Sequence, residues 1–318
     1  SSLRERATGG DEKNGADKEE SSMREQGIEL VRLSERATKD CASDVTIWTL
    51  FLDVLQLCSL VLDDLVSFDL VREKFELAVL HVGHHPADGH GIWKAFIEWE
   101  DEQLTTMESS DDVPKEMIAV QQNRVRSLYS RALHAPLAQL DELWKLYVDW
   151  ESDEKKKDGL KKRLASGQAG FEARKAHESS VATALLEPHQ EQNVSLYRSL
   201  SDYLTWEEQQ LTGKKEKGKR DPASGMSLFE RGLAVFGAIP DLWMRYLGFL
   251  GKWAPTELSR VWAERSARTC WWSGSVLSTA ARLVAATEAE QAKEMLEDAI
   301  ASGCVTGADD VHAVLCAL

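Results

Sequence analysis

Ile92 to Glu100 reads IWKAFIEWE, and further along Leu143 to Glu151 reads LWKLYVDWE. Rings stand at Trp93, Phe96 and Trp99, then at Trp144, Tyr147 and Trp150. Steps of three hold them on one face of a helix, whereas on a strand they would alternate between faces. Each triplet ends on an acid, Glu100 or Glu151. The phrase recurs as IWTLFLDVL at Ile47 to Leu55, with Trp48 and Phe51, and as LWMRYLGFL at Leu242 to Leu250, with Trp243 and Tyr246. A weaker copy, SLSDYLTWE at Ser199 to Glu207, puts Leu200 in the tryptophan slot and keeps Tyr203, Trp206 and Glu207.

A second phrase lies between the copies. Val71 to Val79 reads VREKFELAV, Val125 to Leu133 VRSLYSRAL, and Gly225 to Leu233 GMSLFERGL. LVRLSERAT at Leu30 to Thr38 and AKEMLEDAI at Ala292 to Ile300 are fainter. An aromatic (Phe75, Tyr129, Phe229) is followed three residues on by a small residue (Ala78, Ala132, Gly232), which marks a second helix with a narrow waist. A small residue lets a neighbouring helix come close, so that the first helix's aromatic can pack over it.

The tryptophan slots are 45, 51, 56 and 43 residues apart, and the register continues at Leu277 and Val314 in steps of 34 and 37. A period near 34 to 37, lengthened early by insertions, fits helix pairs that cannot bury their faces alone and must stack. The expected fold is all-α: an α-solenoid, or superhelix, of antiparallel helix pairs, about six to seven of them and incomplete at both ends.

These phrases resemble the HAT (half-a-tetratricopeptide) repeats of RNA-processing proteins, over nearly the whole chain from Met23 to Leu318. Plain tetratricopeptide repeats share the period but carry a Leu-Gly pair and smaller residues where this chain has aromatics and Glu. The order and spacing of ERATKDCASDVTIWTLF, DLVREKFELAVLHVGHH with GIWKAFIEWE, and SLFERGLAVFGAIPDLWMRYLGFL are similar to the family members that recycle the U4/U6 snRNP. The resemblance implies a nuclear scaffold without catalysis in pre-mRNA splicing. It also implies proteins of spliceosomal snRNPs as partners, deubiquitinating enzymes among further ones, and a weak homodimer or a monomer. U6 snRNA would be engaged mainly through RNA recognition motifs outside this chain, since no K/R-G-F/Y-G/A-F-V-x-F/Y occurs in it. The alternatives within the family are scaffolds of mRNA 3'-end cleavage and of ribosomal RNA processing. From another class, an all-α prenyltransferase-type subunit also repeats tryptophan on helix pairs, without the aromatic-Glu continuation.

Composition narrows the classes. The 318 residues are 43% hydrophobic and 29% charged, which describes an ordered domain, and no apolar run reaches the ~18 residues of a spanning helix. The opening Ser1-Ser2-Leu3-Arg4 has neither methionine nor an apolar run, so a piece of a longer chain without a secretory leader is expected. Five cysteines without a C-x-x-C point to reduced thiols. The net charge of -15 opposes a broad phosphate-binding surface.

Residues 1 to 22 read as a disordered polar lead-in, and a sub-boundary is expected near 208–225. TTMESSDDVP at Thr105 to Pro114 and TGKKEKGKRDPASG at Thr212 to Gly225 read as protruding insertions; SDEKKKDGLKKRLA at Ser152 to Ala165 reads as a third insertion that opens a long helix, and the stretch from Ser152 to Pro188 matches no repeat. Two of them carry basic runs. With Asp158 among them, Lys155, Lys156, Lys157, Lys161, Lys162 and Arg163 give a local charge of +5; with Glu216 among them, Lys214, Lys215, Lys217, Lys219 and Arg220 give +4; the remainder carries -24. The runs are candidate partner or RNA contacts, or else solvated lysines. Trp271 and Trp272 are adjacent and cannot both face inward on one helix, so they are a candidate partner contact.

Other constellations carry no chemistry. His81, His84, His85 and His90 crowd one turn with Asp88, but Pro86 and Gly89 account for the turn and no second ligand cluster is near in sequence. Asp63, Asp64 and Asp69 lack the spacing of a diphosphate-metal box, and Cys304 with His312 has no supporting context. No nucleotide, hydrolase or metalloprotease motif occurs, so neither catalysis nor a cofactor or metal is expected. The last helix, Asp310 to Leu318, needs cover for Val311, Val314, Leu315 and Leu318.

Overall fold

A computed structural model describes residues 5–61, 66–186, 189–212 and 221–318. Among the described residues there are fourteen α-helices and no strand. The helices are α1 (Glu5–Asp40), α2 (Val45–Val61), α3 (Phe68–Val82), α4 (Gly89–Glu108), α5 (Lys115–Ala132), α6 (Leu140–Trp150) and α7 (Glu154–Leu185). They continue with α8 (His189–Thr212), α9 (Ala223–Phe236), α10 (Pro240–Trp253), α11 (Thr256–Thr269), α12 (Gly274–Val284), α13 (Ala289–Ala301) and α14 (Ala308–Ala317). Every tryptophan-slot phrase falls on an even-numbered helix, and every copy of the second phrase on an odd-numbered one. The pairs are the antiparallel units of an α-solenoid.

The ends of the helices follow local chemistry. Asp44 accepts from the amides of Thr46 and Ile47 at 2.8 and 3.1 Å to start α2, and the Ser67 hydroxyl accepts from Leu70 N at 3.2 Å to start α3. Pro240 opens α10, where a missing amide costs nothing. Gly303, at φ 67°, follows α13 in a conformation that a side chain resists.

The core is aromatic and repeats. Phe75 stacks on Phe96 with centroids 4.8 Å apart, Tyr129 meets Tyr147 at 5.1 Å, and Phe229 stacks on Tyr246 at 4.8 Å. In each pair, the ring of the odd helix meets the middle ring of the even helix that follows it. Such ring pairs contribute about 0.5–1.5 kcal/mol beyond their buried area.

The chain forms two compact units, Ser1–Gly170 and Phe171–Leu318. The division falls within α7 and not near 208–225, where α8 and α9 pack on each other. Two further expectations change. The lead-in drawn to residue 22 is helical from Glu5, because its Glu, Lys, Arg and Ala residues are strong helix formers despite Gly9 and Gly10. Thr105 to Glu108 extends α4, which leaves only 109–114 as a turn. Ser152 to Ala165 opens a long helix as read, Lys155 to Arg163 forming the start of α7, which Asp153 caps by accepting from Lys155 N at 2.9 Å. There α7 passes so close to the α5–α6 turn that a Cβ on Gly167 would strike the carbonyls of Leu133 and Ala135. The run Lys214 to Arg220, with Asp63 and Asp64, lies outside the described residues.

Candidate functional site

In the three phrases that close on an acid, the acid is buried. Glu100, Glu151 and Glu207 lie inside the helix stack, and each is met by an arginine from the preceding odd helix. Arg72 donates through Nε to Glu100 at 2.6 Å, Arg126 to Glu151 at 2.5 Å, and Arg174 to Glu207 at 2.7 Å. Each guanidinium also lies 5.4 Å from the centroid of the third ring of the phrase: Arg72 over Trp99, Arg126 over Trp150, Arg174 over Trp206. The geometry is an Arg-Trp-Glu clamp joining two helices, with cation–π and charge-assisted bonding in one place.

These charges respond to burial in different ways. Hydrogen bonding to Glu100 raises the Arg72 pKa further. Burial works against the charge on Glu151, but the hydrogen bonds from Arg126 and the Asp153 amide, with the Arg126 charge, hold its carboxyl below the ordinary value. At Glu207 burial prevails over Arg174, and the carboxyl is pushed up. Burial also raises Tyr129, Tyr203 and Tyr246, and the thiols of Cys58 and Cys270.

The first tryptophan of the phrase has a different task. Trp48 donates Nε1 to the Ala42 carbonyl at 2.9 Å, Trp93 to Gly83 at 2.9 Å and Trp243 to Gly237 at 2.8 Å, so the ring ties down the turn before its own helix. All three are buried. Trp144 is only half-buried, against the expectation drawn from its slot.

Sequence reading missed one repeat. His177 stacks on Tyr203 with centroids 4.9 Å apart and an interplanar angle of 11°, occupying the place of Phe75 and Phe229. Arg174 stands three residues before it, as Arg72 stands before Phe75 and Arg126 before Tyr129. An arginine three before a ring was the signal available within Ser152 to Pro188. In α9 and α10 the clamp positions hold Met226, Phe249 and Leu250, all buried, so the ion pair is exchanged whole for apolar side chains.

Ala78, Ala132 and Gly232 are buried at the expected waist. Phe51, Phe96, Tyr147 and Tyr246 are buried as well. All of these motif residues are thus engaged in packing. The basic residues on α7 do not form one free patch: Lys157 pairs with Glu154 at 2.9 Å and Lys161 with Asp158 at 2.7 Å. Leu160 and Leu164 turn inward, leaving Lys155, Lys156, Lys161, Lys162 and Arg163 exposed. Trp271 and Trp272 both lie in the turn between α11 and α12, exposed by 51% and 37%, with their rings edge to face at 5.5 Å. Both are therefore exposed at the surface.

Within the first unit, α3, α4 and α5 border a groove of about 730 Å³. Phe68, Met107, Met117 and Val120 give it an apolar floor, and Arg72 and Arg124 flank it. Phe68, Met117 and Val120 are each more than half exposed. His85 lies 3.3 Å from Asp88, and His81 stacks on Trp48. Among the described residues no three His, Cys, Asp or Glu side chains gather as a metal site. No helix among them is long and apolar enough to cross a membrane.

A family model described as Suppressor of forked protein (Suf) matches residues 31–305. Curated relatives are called "Spliceosome associated factor 3, U4/U6 recycling protein". The zebrafish protein (Danio rerio) is 27% identical over 243 residues, covering 74% of this chain and 24% of its own length. The mouse (Mus musculus) and human (Homo sapiens) proteins are 25% and 24% identical over 213 residues, each covering 67% of this chain and 19% of the relative. The chain therefore spans at most about a quarter of the relatives it matches.

Proposed function

The chain belongs to the Suppressor of forked (Suf) family of helical repeat proteins, and from that membership we propose that it is a non-catalytic scaffold in nuclear pre-mRNA splicing. Its finer role is to hold proteins of the U4/U6 snRNP during assembly or recycling. The observation that carries this reading is the match to relatives called U4/U6 recycling proteins across two thirds or more of the chain. The use of the motif residues supports it: Trp48, Trp93, Trp243 and the three clamps hold helix on helix, leaving partner binding to the surface. On that surface the Phe68–Met117 groove offers apolar anchors between arginines, the pattern of a protein-binding hot spot. Trp271 and Trp272 form a second contact, and the α7 lysines serve a partner more than RNA. Deubiquitinating enzymes are further partners of the same surface, and RNA is bound mainly by other domains.

The test is capture from nuclear extract on the immobilised chain, followed by hybridisation for the spliceosomal RNAs. U4 and U6 should be enriched over U1 and U2, and Met117→Glu should lower that enrichment while leaving the helical circular dichroism intact. Equal recovery of all four RNAs would sink the U4/U6 reading.

A further inference from the structure

Ser109 to Pro114 joins α4 to α5, and its first four residues, Ser109, Ser110, Asp111 and Asp112, are exposed. Between Lys94 and Lys115 the chain holds seven acids and no basic residue. Glu108 directly precedes Ser109, and Asp111 and Asp112 stand two and three places after it. A hydroxyl so placed is accessible on a short turn, and the charge around it draws an enzyme whose cleft is basic. A kinase that reads arginine or lysine ahead of the serine finds none here, and one that needs proline directly after it finds Ser110.

The same hydroxyl holds the end of a helix. Ser109 is the C-cap of α4. Its Oγ donates to the Thr105 carbonyl at 2.8 Å, and its amide donates to the same carbonyl at 3.1 Å. Beside it Gln122 on α5 donates to Glu108 at 3.0 Å, fastening the end of α4 to its neighbour. This last turn supplies Thr106 and Met107 to the groove between α3, α4 and α5. A phosphate on Ser109 would carry a charge of about -1.5 to -2 near pH 7 and could no longer donate to Thr105. It would stand at the negative end of the helix dipole, among Glu108, Asp111 and Asp112. The lost bond, the dipole and the like charges all act against the last turn.

We propose that Ser109 is a phosphorylation site for an acid-directed serine kinase, and that its phosphate loosens the end of α4 and weakens binding in the groove. In the transfer, the Ser109 Oγ bonds to the γ-phosphorus of ATP as the bond from that phosphorus to the β–γ bridging oxygen breaks. ADP leaves with the electron pair, and the hydroxyl proton passes to the kinase's carboxylate base. The site stands on the chemistry of the turn; its effect on binding rests on the groove reading.

The test uses the full chain, ATP labelled at the γ-phosphate and a kinase of the casein kinase II type. A single phosphate should enter, mass spectrometry should place it on Ser109, and Ser109→Ala should remove it. Asp112→Asn should slow its entry roughly tenfold, because the basic cleft loses an opposite charge. Amides from Thr105 to Ser110 should exchange hydrogen severalfold faster in the phosphorylated chain than in Ser109→Ala, which loses the hydroxyl bond without gaining charge. With phosphatases inhibited, the phosphorylated chain should also recover less U4 and U6 from nuclear extract. No phosphate, or one that survives Ser109→Ala, overturns the site. Unchanged exchange overturns the loosened turn. Recovery that Met117→Glu lowers and phosphorylation does not overturns the control of binding, whereas recovery that neither lowers overturns the groove reading together with that control.

Discussion

A buried carboxylate is costly, and this chain buries three of them at the same slot. Each is tolerated because an arginine reaches it from the preceding helix while lying over a tryptophan, so the charge is bonded and covered at once. Removing one partner leaves the other charged in a dry place, and a broken buried pair costs about 3–5 kcal/mol. Glu100→Leu leaves Arg72 with Asp69 at 2.8 Å, so it should destabilise the chain by less, about 1–3 kcal/mol in urea unfolding. The double change Arg72→Met with Glu100→Leu, which copies the natural Met226 and Leu250, should recover most of the loss. If the double variant is no more stable than the single one, the α9–α10 exchange is not the apolar equivalent of the clamp. Acid acts on the same slot. The Glu151 carboxyl is held below its ordinary value in the folded chain, so its contribution is complete above the ordinary carboxylate range. That contribution is lost as pH falls through the lower folded value. Melting temperature should fall with acid in the parent chain and fall less steeply in Glu151→Gln.

At the level of the helix, the slot does not determine burial. Trp48 and Trp144 hold the same place in the phrase, yet Trp48 is buried with its Nε1 bonded and Trp144 is half-buried. Trp48→Ala should cost about 3–5 kcal/mol as a buried aromatic loss. Trp144→Ala should cost less than half of that, read from denaturant midpoints in the two variants. Equal losses would mean that the half-exposed ring carries as much packing as the buried one. The order of the helices was legible because Trp, Phe and Tyr at steps of three can only be one helix face, and Leu200, Leu277 and Val314 kept the register after the rings were lost. The Arg-Trp-Glu clamp was not legible, since pairing depends on which helix lies beside which. The long helix opening at Ser152 to Ala165 was legible, but not the repeat within it: His177 replaces the expected ring there, and the helix runs on past the repeat, so periodicity is diluted. The groove and the paired exposure of Trp271 and Trp272 come from the placement of helix ends and turns, which sequence periodicity does not encode.

For the whole molecule the deciding quantity is charge. A polyanion approaching the chain meets a net -15, and the lysines of α7 offer a short exposed face already compensated in part by Glu154 and Asp158. Neutralising phosphates requires several cations side by side, and the affinity gained falls steeply with salt. Generic single-stranded RNA should therefore bind weakly, with a dissociation constant well above about 1 µM near 0.15 M salt, a range where the field of distant charges is screened within about 8 Å. Reversing Lys161, Lys162 and Arg163 to Glu should change that weak binding little, because the face is too short to organise a strand. Fluorescence anisotropy with a labelled RNA, titrated against salt, gives both the constant and the number of phosphates engaged. Submicromolar binding that the triple reversal abolishes would make α7 an RNA-reading helix and displace the protein-scaffold reading. A shallow salt slope with weak binding is what a solenoid facing protein partners should give.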